Sequence, residues 1–395
     1  PSLAVEGRIV AARRGVWRYR GMTPLCAVEA PNPHPGQFHG ERDAATEMIT
    51  TPREIFGMKL TRREFTGLAI GAAAGAAARP LFGQAGRWGS FFEWAPIGDG
   101  ALVAIGVGGN ALLVKSGDEA VLIDCKNFGY GNTLRREATK THGAELTTVI
   151  NTHHHGDHIG GNQAFTSDIP LIAQRNAKER ITTWAMGTIK RVQPGGEAMH
   201  ERMMNQMREQ AASPGGAKSA TSDMAAFFDA LPTMEASAFT PTETFEDHHE
   251  IQVGELTVIL HHAGAGHTDN DAFIFIPELN VLHTGDLCFH KLHPFIDMTA
   301  GATSAGWIRS CDAMLELCDA ETTVVPGHGE IGGKAAITGQ REYFKILRDA
   351  MVKAHADGVS RADAIAMEIP AFDGYGFERI KERTFASVFD EMQGR

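Results

Sequence analysis

Residues 151–162 read Asn-Thr-His-His-His-Gly-Asp-His-Ile-Gly-Gly-Asn. Within them the frame His153-x-His155-x-Asp157-His158 sets four metal-competent side chains in six positions. Imidazole and carboxylate together suit a borderline cation such as zinc. Groups this close along the chain cannot all reach one ion comfortably. The spacing predicts two neighbouring ions instead, His153 and His155 facing one, Asp157 and His158 the other, with a water activated between them. The plain alternative is a solvated histidine run. The interleaved Asp, the apolar stretch Leu146–Ile150 before it and Gly160-Gly161 after it weigh against that.

Two ions need more ligands than one loop offers, and three further candidates each follow a strand-like run. His267 lies in Gly264-Ala265-Gly266-His267-Thr268 after the alternating stretch Leu256–His261. Asp286 lies in His283-Thr284-Gly285-Asp286 after Asn280-Val281-Leu282, and His328 in Val324-Val325-Pro326-Gly327-His328-Gly329. Flanking glycines let the backbone turn sharply and bring a side chain close to an ion. Taken singly, a histidine is more often structural or solvated, and an Asp such as Asp286 can cap a turn. In company with the first motif, the ligand reading is favoured, because a catalytic zinc needs further imidazoles.

In this order the motifs resemble the metallo-β-lactamase-fold hydrolase superfamily, from about Trp94 to Gly333. The resemblance implies two zinc ions per chain, with iron or manganese as alternatives. One ion takes His153, His155 and His267, the other takes Asp157, His158 and His328, and Asp286 bridges the pair. Asp124, in Val121-Leu122-Ile123-Asp124, matches the superfamily's early Asp motif and is expected to orient a ligand histidine. His154, His261, His262, His283, His290 and His293 are left over as structural or solvated residues, with His290 or His293 near enough in sequence to Asp286 to touch substrate.

The elements that must position these groups are β-rich. Ala101–Val107, Ala111–Lys115 and Ala120–Ile123 read as strands, with a tight turn at 116–119. Asn132–His142 is helix-compatible, Asn162–Phe165 starts a helix and Pro170–Ala173 is a short strand. Residues 176 to about 245 break the rhythm as a helical insert, with helices at Arg180–Lys190, Glu197–Gln210 and Asp223–Leu231. Met199, Met203, Met204 and Met207 share one face there, either a packing face or a substrate lid. The β pattern returns from Thr244 in Glu250–Val253, Leu256–His261, Ala272–Ile276 and Val281–His283. A helical part, about 334–393, closes the chain. This alternation predicts a layered α/β fold. The family resemblance supplies its topology, a four-layer αββα sandwich of two similar halves with the metals at one edge between the sheets.

Composition narrows the function. The net charge of −11 disfavours a nucleic-acid partner, since phosphate binding wants a basic surface. Five cysteines without a CxxC or a paired framework give no full disulfide set. Thr61-Arg62-Arg63-Glu64-Phe65 followed by an Ala/Gly-rich run to Ala78 reads as a twin-arginine (Tat) export signal at about 58–86. The run is too short and weakly apolar to span a bilayer, so no stable membrane insertion is expected. It predicts export by the Tat machinery to the periplasm, with 1–57 as an upstream, disordered extension and 87–395 as the catalytic domain.

The resemblance implies hydrolysis of a small-molecule ester, thioester, lactone or amide, β-lactams included, by a hydroxide held between the metals, with Asp157 accepting or relaying a proton. Asp rather than Cys or Ser at 286 favours the branch of glyoxalase II-like thioesterases and lactonases. The C-terminal helices lack the basic cluster expected to hold a glutathione carboxylate, although Lys291 is a candidate anion contact. Two rival classes stay open: a mono-iron persulfide dioxygenase, and a binding protein that keeps the fold without turnover. Metal analysis separates the first from the hydrolase reading.

Overall fold

A computed structural model describes residues 90–192 and 218–394, with two short strand pairs nearer the start of the chain. These pairs are β1 (Arg8–Ala12) with β2 (Val16–Arg20) and β3 (Arg53–Ile55) with β4 (Met58–Leu60), both antiparallel. The twin-arginine run, the helix expected at Glu197–Gln210 and its four methionines lie outside the described residues.

Two mixed sheets face each other. The first has the order β11-β10-β9-β8-β7-β6-β5. In it β5 (Glu93–Gly98), β6 (Ala101–Ile105), β7 (Ala111–Ser116) and β8 (Glu119–Ile123) form an antiparallel meander. Beyond β8, β9 (Leu146–Ile150), β10 (Leu171–Gln174) and β11 (Glu243–Phe245) run parallel. The second sheet has the order β12-β13-β14-β15-β16. It comprises β12 (His248–Val253), β13 (Leu256–His261), β14 (Phe273–Ile276), β15 (Val281–His290) and β16 (Thr323–Gly329), and only β15 and β16 pair in parallel.

Strand alternation builds three apolar layers. Val103, Leu112, Val121, Ile150 and Ile172 of the first sheet meet Val258, Leu260, Ile274 and Val325 of the second between the sheets. On the other face, Leu113, Leu122, Val149 and Leu171 pack under helices. Helix α3 (Arg175–Val192) contributes Ala177, Ile181, Ala185 and Ile189, a stripe at four-residue spacing, and α4 (Lys218–Ala230) adds Phe227 and Phe228. The second sheet's outer face, with Leu282 and Val324, is covered by α5 (Ser304–Leu317), α6 (Lys334–Ala356) and α8 (Glu378–Met392), which contribute Trp307, Phe344 and Phe385. Helix α7 (Arg361–Ile365) packs on α8. This is the four-layer αββα sandwich.

The structure revises three local readings. The segment treated as an insert from 176 begins with α3, which is the sheet's own covering helix, and ends in β11, which pairs with β10. Asn132–His142 splits into α1 (Gly131–Arg136) and a π turn, Glu137–Thr141. The wider turn coincides with a buried Glu137 carboxylate that accepts from Ser90 Oγ (2.9 Å), Phe91 N (2.6 Å), Phe92 N (3.2 Å) and Trp94 Nε1 (2.9 Å). Asp286 does not follow a short strand but sits inside β15, whose register slips on either side of Gly285. That irregularity, with Gly285 at φ +50, re-aims the Asp286 side chain.

Glu137 ties the 90–94 segment, where β5 begins, to the turn that follows α1. Glu137→Ala leaves four donors without their acceptor, and the expected loss is about 2–4 kcal/mol of stability, with Glu137→Gln intermediate. Urea unfolding followed by tryptophan fluorescence measures it, and an unchanged midpoint would count against this anchoring role.

Candidate metal centre

The site forms where strands of both sheets end. Strand β8 delivers Asp124, and β9 runs into the histidine loop, whose short helix α2 (Gly156–Ile159) carries Asp157 and His158. His267 comes from the β13–β14 connection, Asp286 from the irregular middle of β15, and His328 from the end of β16. The ligand atoms of His153, His155, His267 and Asp286 lie within 4.8 Å of one another, and so do those of Asp157, His158 and His328. The structure brings these seven positions together, and His154, His155 and Asp297 form a further such group.

Asp286 joins the groups. Its Oδ2 is 3.7 Å from His153 Nε2 and 3.4 Å from His267 Nε2 on one side, and 3.4 Å from His328 Nε2 on the other. Its Oδ1 is 3.1 Å from His158 Nε2, and Asp157 Oδ2 is 3.1 Å from His328 Nε2. Approach this close demands missing side chains. A Cβ on Gly109 would meet the His158 ring at 2.1 Å, and one on Gly327 would meet Asp286 Oδ1 at 2.0 Å.

The second nitrogen of each of four imidazoles is already committed, which sets the tautomer. His158 Nδ1–H donates to Asp124 Oδ2 at 2.7 Å. Thr152 donates its N–H and its hydroxyl to the same carboxylate, each at 2.8 Å. With its only hydroxyl proton used, Thr152 Oγ1 accepts from His153 Nδ1–H at 3.0 Å. One buried carboxylate therefore orients a histidine of each group, directly for His158 and through Thr152 for His153. His267 Nδ1–H donates to Phe295 O at 2.6 Å, and His155 Nε2–H donates to Asp297 Oδ2 at 3.0 Å.

What remains are lone pairs turned inward. His267 Nε2 and His155 Nδ1 face each other at 2.8 Å, though each ring's proton is on its other nitrogen. Two lone pairs at that distance require a shared proton or cation. His153 Nε2 is buried without a hydrogen-bond partner, which buried polar atoms rarely are, and His158 Nε2 and Asp286 Oδ1 make no well-aligned hydrogen bond although they are 3.1 Å apart. The donor set therefore fits one or two metal ions.

The charge environment is divided. Burial, and then the neighbouring His158, push His153 well below the usual imidazole range, and burial pushes His267 down to about 3. Both are thus neutral, the form that ligates. Burial acts the same way on His158 and His328, but carboxylates outweigh it. Asp286, Asp124 and Asp157 raise His158 well above its ordinary value, and Asp286 with Asp157 raises His328 to about 9. Those two carboxylates hold positive charge beside them whichever cation supplies it.

Asp297, Thr152 and Asn270 were not singled out from the sequence. Asp297 leaves only a turn signature, capping the short turn Met298–Ala300 with Oδ1 while Oδ2 meets His155. His154 points away from Asp286: Asn270 Oδ1 accepts its backbone N–H at 3.0 Å, and its Nε2 is 3.8 Å from Asp297 Oδ2. His293 does not reach the site, because it is buried in the helical core with Nδ1 2.8 Å from Tyr343 Oη. His290 Nδ1 donates to Glu330 O at 2.8 Å, and Lys291 is exposed. Cys288 is buried, its thiol pushed up to about 12 by burial and then by Asp286.

Residues 104–328, more than half of the chain, match the family model described as the metallo-beta-lactamase superfamily. With the sandwich and its His/Asp cluster in place, the chain belongs to that superfamily. A metallo-beta-lactamase from Pontibacter korlensis is 16% identical, with a TM-score of 0.46 over 64% of this chain and 99% of that one. The VMB-1 structure is 17% identical, with a TM-score of 0.46 over 65% of this chain and 97% of that one. The DIM-1 metallo-beta-lactamase is 16% identical, with a TM-score of 0.44 over 65% and 97%. A hydroxyacylglutathione hydrolase from Gloeothece citriformis (strain PCC 7424) is 49% identical over 37 residues, which span 9% of this chain and 14% of that protein.

Removing the shared orienting carboxylate should loosen both groups. Asp124→Ala is expected to weaken metal retention about 10–100-fold, read by elemental analysis after dialysis against a competing chelator. Asp297→Ala frees only the His155 ring, so it should lower stoichiometry towards one ion. Equal loss of both ions in that variant would contradict the division into two groups.

Proposed function

We propose that this protein is a hydrolase carrying two zinc ions, one held by His153, His155 and His267, the other by Asp157, His158 and His328, with Asp286 shared. The carrying observation is the convergence of mostly buried imidazole nitrogens from both sheets on Asp286. When bound, such ions lower the pKa of a water from about 15.7 to about 7 and polarise a carbonyl oxygen.

The chain's own residues supply the rest. Asp124 and Thr152 hold the rings of His158 and His153, and Asp297 and the Phe295 carbonyl hold those of His155 and His267. Asp157 is the more open of the two ligand carboxylates, at 31% exposure, while Asp286 is at 4%. Burial favours the protonated form of Asp157, but His158 and His328 outweigh it and keep the carboxylate ionised. In this reading Asp157 orients the attacking water, takes up its proton at the oxygen turned away from His328 and passes it to the leaving atom.

The substrate class is an ester, thioester, lactone or amide, β-lactams included. The short likeness to a hydroxyacylglutathione hydrolase agrees with the thioester arm of that set. Among the described residues, no helix is long and apolar enough to cross a membrane. Export through the twin-arginine route, read from Thr61–Ala78, belongs to the same proposal.

Elemental analysis of the purified chain should find two zinc equivalents. A panel of a lactone, a thioester, an aryl ester and nitrocefin should reveal hydrolysis that a chelator abolishes and zinc restores. Asp157→Ala should cut the rate about 10²–10⁴-fold. A protein without transition metal, a single iron in place of the pair, or full activity in Asp157→Ala would refute the proposal.

A further inference from the structure

Two half-buried aromatic rings flank the metal centre, one at each group of ligands. Phe295 lies 5.9 Å from the His155 ring and 6.1 Å from that of His267, centroid to centroid. Phe377 lies 5.8 Å from the ring of His328, which stacks on the buried Phe289 at 5.1 Å. His155 and His328 are themselves partly open, at 19% and 16% exposure. Each of these two partly open imidazoles thus has a half-buried aromatic ring beside it.

Phe377 is the more telling of the two. It lies beyond residue 328, where the family match ends, in the C-terminal helical part. Its backbone is left-handed, φ 60 and ψ 39, a region that bulky side chains rarely adopt. The preceding backbone is pinned: Gly376 N donates to Lys291 O and His293 N donates to Gly376 O, both at 2.9 Å. Ile380 N then donates to Phe377 O at 2.7 Å, which starts α8. A glycine at 377 would satisfy this turn without strain, so the ring's presence asks for another reason. Phe295 is fixed differently, by the Arg383 guanidinium 4.8 Å from its centroid.

We propose that Phe377 and Phe295 form a two-ring clamp that selects an acyl substrate with an aromatic or bulky apolar group beside the scissile carbonyl. The inference rests on the hydrolase reading for the identity of the site and names the substrate class within it. The rings exclude water from one flank of the bound group and offer edge and face contacts to an aromatic substituent. Small, polar acyl groups gain nothing from them.

The test compares phenylacetate with acetate, which carry the same carboxylate and differ by one ring. Their affinities are measured by calorimetry on the zinc-loaded full chain, and by the shift of the visible spectrum on the cobalt-loaded chain. The wild type should prefer phenylacetate by about tenfold or more. Phe377→Gly and Phe377→Asn, both compatible with a left-handed backbone, should lose most of that preference while keeping metal content and acetate affinity. The proposal is overturned if the wild type shows no preference, or if both variants retain it. Loss of metal along with preference would also overturn it, by making the ring a support for His328. Hydrolysis plays no part in this readout. Selective binding through Phe377 in a chain that cleaves no ester would sink the hydrolase reading alone.

Discussion

A carboxylate at 4% exposure, Asp286, stands among the inward-facing nitrogens of His153, His158, His267 and His328. Buried carboxylates are costly unless paired, and buried lone pairs facing one another at 2.8 Å repel. The arrangement is tolerable only when positive charge sits among these atoms, as protons or as metal ions. Much of the surrounding structure can be understood as meeting that requirement. The irregularity in β15 turns Asp286 inward, Gly109 and Gly327 clear space for it and for His158, and Asp124 fixes which nitrogens remain bare.

The same requirement explains why the centre lies at the seam of the sandwich. The β9 loop and Asp124 come from the first sheet, whereas His267, Asp286 and His328 come from the second. Neither sheet holds a full ligand set. Between the sheets the contact is apolar, Val103, Leu112 and Ile150 against Val258, Leu260 and Ile274. That layer sets the spacing of the two sheets but discriminates little between alternative alignments. Polar contacts at the edge add direction: Asn110 Nδ2 donates to Pro326 O at 2.9 Å, and Ala272 N donates to Thr152 O at 2.7 Å. A cation bound at the seam would add to the same cross-sheet registration, which would link metal binding to the stability of the two-sheet arrangement.

Around the centre, the helical layers do more than cover sheets. In α3, Arg180 holds Asp269 through two hydrogen bonds of 2.8 and 2.5 Å. Asp269 accepts from Asn270, and Asn270 accepts the His154 N–H, so the helix is tied to the histidine loop through three residues. On the opposite side, the 374–378 turn presses against the strand end at Lys291 and His293 and brings Phe377 to His328. The helical additions thus reach the site from both halves of the molecule.

Ligand chemistry was legible in the sequence, because a His-x-His-x-Asp-His frame is dense enough to speak for itself and glycines mark the other ligand turns. The strand and helix layers were legible through alternation and four-residue stripes, which report burial on one face. What depended on distance in space was not. Asp297 looks like an ordinary turn cap until the β15–α5 connection carries it to His155, 142 positions away. The π turn at Glu137 follows from donors some 45 residues earlier, and the place of Asp286 follows from a register slip that no local pattern records. By itself the sequence determined which residues could hold a cation and where most strands lie, though not β5 or β11, since side-chain type and short-range spacing report little on a half-exposed edge strand. Only the tertiary structure decided which nitrogen of four of the imidazoles faces the centre and which aromatic rings lie beside the ligands. Those outcomes depend on hydrogen-bond partners and packing neighbours brought together from distant parts of the chain.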